Sequence, residues 1–328
     1  MRIILILIVF SYRLFAQSNE SCISFSHYIH NIQNPEDMLK ISDTNWVIIS
    51  SMAENENNSG GIYAINTNTE KIIPLHAVIE SDNRFAPHGI YLREVTKSNF
   101  RLYVINHAST EKIEVYKLTI INEIPQLTWT KSIILPENVW ANGLVADDKE
   151  NIYATSMYNP SDENFLEKFR EGIPTGQIWK WNRISGWQAL STFHFSAANG
   201  IAISPKSDYL IISEWATKTI YKMRIDSFEL ESVKVDFLPD NIRWTHDGNL
   251  LITGQKGLPH KVFTSKGIRK ENMYFKAIKL NPELLTYEEL IDGGNQNFAN
   301  GTVTIEVGNS YWIGCVQNDK IAIYTKNR

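Results

Sequence analysis

The sequence is short of several things, and each shortage excludes something. Basic residues are not in excess: 32 Lys and Arg face 36 Asp and Glu, a formal charge of −4. No basic stripe stands out, which argues against nucleic acid as a partner. Cysteine is nearly absent, with Cys22 and Cys315 alone, and no His–Cys cluster appears, so the chain does not offer the soft donors that Zn²⁺ prefers. Pro (11) and Gly (17) are few, while 43% of the 328 residues are hydrophobic. That is enough to bury a large core in one domain or two. The apolar run at the start, Ile3 to Phe10, is too short to span a bilayer.

That first stretch, "MRIILILIVFSYRLFAQS", instead reads as a secretory signal over residues 1–16, with Arg2 as the charged start and "LFA" before Gln17 as the cleavage site. An uncleaved anchor is the alternative. The mature chain is then 17–328, read as one domain, and its expected location is secreted or otherwise exported. In an exported chain two thiols most often pair, so Cys22 and Cys315 are a candidate staple between the termini; two unrelated buried thiols are the other reading. Asn-x-Ser/Thr sequons begin at Asn19, Asn57 and Asn300, relevant where the host glycosylates exported proteins.

What the chain has in abundance is short β-patterned runs rich in Ile, Val, Tyr and Trp, such as "WVIIS" (46–50), "RLYVINH" (101–107), "NIYATS" (151–156), "YLIISEW" (209–215), "NLLITG" (249–254), "HKVFTS" (260–265) and "SYWIGCV" (310–316). Pairs of runs follow a polar turn that feeds straight into a strand: "PEDMLKI", "PHGIYL", "ANGLVAD", "ANGIAIS", "PDNIRWT" and "ANGTVTI". The key polar residues of these turns are Glu36, His88, Asn142, Asn199, Asp240 and Asn300, roughly 40–60 residues apart. Six units of three or four antiparallel strands predict an all-β fold, a six-bladed β-propeller. Two stretches break the rhythm. Residues 159–174 predict a helix from Ser161 or Asp162 to about Arg170, with Phe165, Leu166 and Phe169 on its apolar side and Gly172 at its stop. Residues 281–296 read as a shorter helix or loop. Both are expected over one face of the disc.

In a propeller the innermost strand of each blade begins at one end of the central channel, so the six turn residues converge there. Glu36, Asn142, Asn199, Asp240 and Asn241 would bring carboxylate and amide oxygens together, the donor set of a hard cation such as Ca²⁺. His88 lies near this set. His88 and His107, one before a strand and one ending the next, could meet across antiparallel neighbours, or be two ordinary histidines.

These residues resemble the paraoxonase and arylesterase family, within the wider set of six-bladed calcium-dependent lactonases that includes gluconolactonases. The likeness rests on "PEDMLKISDTNWVIISS", on "PHGI…YVINH" at the family's own histidine spacing, on "SAANGIAISPKSDYLIISE" and "LPDNIRWTHDGNLLITG", and on "ANGTVTI…YWIGCV", and runs from about residue 20 to the C-terminus. The resemblance implies that Glu36, Asn142, Asn199, Asp240 and Asn241 bind a catalytic calcium, that His88 is the general base and that His107 is its partner. It implies a small-molecule substrate, a lactone or aryl ester whose carbonyl is polarised by the metal and attacked by water. Association with a lipid or membrane surface stays open, as does the oligomeric state. The alternative is a non-catalytic member that uses the propeller for assembly or partner binding. The family's second, structural calcium uses an Asp after the Glu, here Asp37, and an Asp after the third-blade Asn, here Gly143. An Asp-His pair of the paraoxonases is replaced by Met157 and Tyr158, and a first-blade Tyr has no counterpart in residues 52–61. Cys22 fits the family's staple, whereas Cys315 sits a strand early.

Overall fold

The computed structural model describes residues 23–53, 58–76, 84–265, 274–295 and 297–327. Within them the chain folds into six four-stranded antiparallel sheets. Five blades are continuous in sequence, over 35–75, 87–134, 140–189, 198–234 and 238–293. The sixth takes three strands from 301–326 and its outermost strand from the other end of the chain: Ile23–His30 pairs with Lys320–Lys326. Inner strands of neighbouring blades touch all the way round, including the last against the first, so the ring is closed.

The sequence periodicity follows from where the core lies. Six apolar clusters each fill the space between two adjacent blades. A middle strand therefore buries both faces, and Trp46–Ser51, Tyr209–Glu214 and Leu250–Gln255 are buried from end to end. Such strands read as unbroken apolar runs rather than alternating ones. Outer strands bury little: Leu230–Lys234 and Thr286–Gly293 are mostly exposed.

Two short helices lie together over blades three to five. Helix α1, Phe165–Glu171, ends on Gly172 in the left-handed conformation at φ 68°, where glycine is favoured. Phe169 is buried beneath it, with Phe165 and Leu166 packed beside, as the spacing predicts. Helix α2 is Pro259–Phe263; it packs on α1 and brings Phe263 to the same cluster. This corrects two expectations. Residues 260–265 are not a strand, and 281–296 is not a helix but largely the outer strand Thr286–Gly293 of blade five. The residues read as a signal, with Cys22, Asn19 and Asn57, lie outside the described residues. Cys315 is a buried free thiol whose Sγ donates to the Lys320 carbonyl at 3.4 Å.

Candidate metal and hydrolytic centre

Each blade presents the same irregularity at one end of the channel. The ladder between its inner and second strands skips residues near the inner strand's start: Glu36 in blade one, His88 and Gly89 in blade two, Asn142 and Gly143 in blade three. It skips Asn199 and Gly200 in blade four, Asp240 and Asn241 in blade five, and Thr302 in blade six. A bulge of this kind takes a residue out of pairing and re-aims its side chain. The bulged residues are the predicted axial set, with Thr302 rather than Asn300 in the sixth place.

The repeated glycine has a steric cause. A Cβ on Gly89 would lie 2.2 Å from the Asn142 carbonyl oxygen, and one on Gly200 would lie 2.1 Å from that of Asp240. The bulges of blades two, three and four each nest against the next, and a side chain at their glycines would collide with backbone. Neither glycine needs a positive φ, so the Asn-Gly pairs are packing features rather than flexible turns.

Glu36, Asn142, Asn199, Asp240 and Asn241 are all buried. Four of their oxygens, Glu36 Oε2, Asn142 Oδ1, Asn199 Oδ1 and Asp240 Oδ1, have no hydrogen-bond partner among the described residues. The other atoms are held. Glu36 Oε1 accepts from Asn241 Nδ2 at 2.7 Å, so Asn241 enters the set through its amide nitrogen. Asp240 Oδ2 accepts from Gln255 Nε2 at 2.7 Å, and Gln255 accepts in turn from the Trp215 indole. Burial pushes the Asp240 carboxyl well above its ordinary range, and the Glu36 charge adds to the shift. Leaving buried polar atoms unpaired costs free energy, and two carboxylates sharing a dry site repel. Convergent bare oxygens relieved by a bound cation fit both facts. Among the described residues no three His, Cys, Asp or Glu side chains form a metal-holding group. Half of the bare oxygens belong to amides, which suits an oxygen-seeking ion such as Ca²⁺.

The two histidines meet. His88 Nδ1 and His107 Nε2 are 2.9 Å apart, and His107 Nδ1 is 2.8 Å from both carboxylate oxygens of Glu111. An ionised carboxylate only accepts, so His107 Nδ1 carries the proton and its Nε2 accepts from His88 Nδ1–H. When the pair is neutral, this puts the lone pair of His88 on Nε2, which lies 3.5 Å from Glu36 Oε1. Burial works to lower the His88 pKa, but Glu36, Asp240 and Asp37 outweigh it and the net shift is upward. Burial lowers that of His107 against the pull of Glu111. Glu111 was not visible from sequence: its position depends on the turn after His107, where Ser109 has a positive φ. An i+4 acid was the only signal.

An aromatic row runs from this pair to the helices. The Trp140 ring stacks on His107 at 4.3 Å and on Tyr158 at 5.2 Å, and Tyr158 stacks on Phe165 at 4.2 Å. Met157 accepts from Asn142 Nδ2 at 3.8 Å. The wall that departs from the paraoxonase pattern is thus an aromatic one, and the carboxylate next to the histidines comes from Glu111.

Asp37 does not join the bare oxygens. Its Oδ1 accepts from Met38 N at 2.8 Å and from Arg243 Nη2, and its Oδ2 accepts from Ile90 N at 2.9 Å. Burial pushes its carboxyl up to about 6, with Arg243 pulling against the shift. Asn300 is buried, its amide nitrogen bonded to Gln317 Oε1 at 3.1 Å, which leaves a glycan no room in the folded protein.

Comparison with known proteins gives a family and a fold. A family model described as Arylesterase matches residues 25–271. Serum paraoxonase/arylesterase 2 of Bos taurus is 25% identical over 196 residues, covering 56% of this chain and 53% of that protein. The chain therefore spans about half the length of the curated relatives it matches. Two solved propellers share the fold at low identity. A calcium-binding protein, regucalcin, from Agrobacterium tumefaciens superposes with a TM-score of 0.56 at 9% identity, over 93% of this chain and 96% of its own. A gluconolactonase from Xanthomonas campestris gives 0.55 at 11%, over 92% and 94%.

Proposed function

This chain belongs to the arylesterase family, and on that premise we propose that it is a calcium-dependent hydrolase of lactones and aryl esters. The observation that carries the reading is the set of four bare buried oxygens beside a hydrogen-bonded histidine pair. Glu36, Asn142, Asn199 and Asp240 would hold the ion, with Asn241 fixing Glu36. The bound ion supplies Lewis-acid polarisation of a carbonyl oxygen, worth several kcal/mol of charge stabilisation. The chain's own residues do the rest. His88 Nε2 accepts a proton from water, and the positive charge that forms is spread through His107 towards Glu111. A positioned base of this kind contributes about 10²–10⁴-fold. Trp140, stacked on His107, fixes the plane of that ring and excludes water from the His–His hydrogen bond. Lactones and aryl esters share the need served here: an acyl carbonyl attacked by water.

The test is a panel of lactones and aryl acetates assayed with Ca²⁺ and with EGTA. Turnover that disappears with EGTA and returns on adding Ca²⁺ is the expected result. No turnover of either class with Ca²⁺ present would leave a non-catalytic propeller as the better reading.

A further inference from the structure

The resemblance to paraoxonases brings a second, structural cation with it, and the residues of this chain do not fit one. Both Asp37 oxygens are already taken by Met38 N, Ile90 N and Arg243. The partner position is Gly143, where a Cβ would come within 2.9 Å of the Asn199 carbonyl oxygen and 3.2 Å of Ile201 N, so a second carboxylate has no space. What stands beside Asp37 is Arg243. Its Nε donates to the Met38 carbonyl at 2.8 Å, its Nη1 to that of Ile242 at 2.7 Å, and its Nη2 to that of Ile90 at 3.2 Å as well as to Asp37. The Asp37 side chain is 1% exposed and that of Arg243 16%. One guanidinium thus meets one carboxylate and three carbonyls, and ties blade five to blades one and two across the channel. Arg243 also stands in the wall of a cavity of about 170 Å³ lined by Leu39, Ile90, Val145, Ile203 and Trp244, with Lys40 and Glu94.

We propose that Arg243 is a built-in cation that replaces the second metal ion, so that this propeller holds its channel together with one exchangeable ion instead of two. A fixed guanidinium suits the place because its planar fork satisfies several oxygens at once. Unlike a metal ion, it cannot be removed by chelation. The ion count rests on the calcium reading above; the clamp does not.

Two measurements test it. Metal analysis of the purified full-length protein, dialysed in micromolar Ca²⁺, is expected to find one calcium per chain; two per chain would overturn the proposal. In parallel, thermal unfolding is followed in excess EGTA for wild type, Arg243→Met, Asp37→Asn and the double variant. Removing one partner of a buried pair leaves an uncompensated charge, so Arg243→Met is expected to lower Tm by roughly 5–10 °C. Asp37→Asn should cost clearly less in the Met background than alone. Additive single effects, or a Met variant within about 2 °C of wild type, would overturn the clamp. Should Arg243→Met not accumulate as folded protein, Arg243→Lys serves, since it keeps the charge but loses the fork; a Tm equal to wild type would count against the proposal. A chain with no bound calcium would sink the calcium reading, and the unfolding cycle would then decide the clamp alone.

Discussion

Glu36 and Asp37 are neighbours in sequence, both buried acids of the first blade, yet they belong to opposite kinds of site. Glu36 sits in the bulge with Oε2 bare, as are side-chain oxygens at the matching bulges of blades three, four and five. Asp37 is back in the ladder, and each of its oxygens has a partner. A folded chain leaves few buried polar atoms unpaired without reason. Four of them at equivalent places in a ring indicate something the protein binds. A carboxylate with every lone pair used indicates something the protein is built on. The difference teaches which substitutions should cost function and which should cost the fold.

The largest functional effect is expected at a bare oxygen. Asn199→Ala removes one proposed metal donor and, among the described residues, no hydrogen bond of its side chain, so turnover of lactones or aryl acetates with Ca²⁺ should fall about a hundredfold or more. Its melting temperature in EGTA should stay close to wild type. Equal turnover would take Asn199 out of the site and break the contrast.

A smaller effect is expected at Glu111, which lies between the two kinds of residue. It is fully bonded, but to a histidine that serves the base. Glu111→Gln keeps an acceptor for His107 Nδ1 and removes the charge that stabilises the protonated pair. We expect kcat lower by about tenfold to a hundredfold with KM little changed, read from steady-state kinetics. A change confined to KM would place Glu111 in substrate binding instead.

The smallest effect is expected at Thr302, whose hydroxyl donates to the Glu36 carbonyl at 2.6 Å and so joins the last blade to the first. Thr302→Val leaves that buried carbonyl only the longer bond from Asn241 Nδ2 at 3.4 Å, a cost of about 0.5–1.5 kcal/mol. A fall in Tm of a few degrees by calorimetry is expected. No fall would mean that ring closure draws its stability from the outer strand Ile23–His30 and the apolar contacts between the blades.

Much of the ring was readable because its inner and middle strands are buried on both faces. Their apolar runs and the bulge residues before them recur with a period, and that period yields six blades. The strands that escaped notice are the outermost ones, Ile23–His30, Ile72–Leu75, Ile124–Ile134, Gly186–Ala189, Leu230–Lys234 and Thr286–Gly293, together with Phe275–Asn281, the third strand of blade five, whose place "HKVFTS" took. An outer strand pairs on one side only and bury few side chains here, so polar residues dilute its pattern. Thr286–Gly293 could pass for a helix or loop for this reason. The misreading of 260–265 is different: a helix of five residues after Pro259 is too short to show a period against a β-like "KVF".

The sequence alone determined the repeat, five of the six bulge residues at the end of the channel, and the predominance of oxygen over sulfur donors among them. These follow from local patterning, because each blade repeats the same strand order and bulge. Only the tertiary structure decided which of those oxygens are bare, that Glu111 backs His107, and that Arg243 from blade five neutralises Asp37 in blade one. Each of these depends on side chains meeting across a turn, between blades or across the channel, up to 206 residues apart in the chain, and no local pattern carries such a distance.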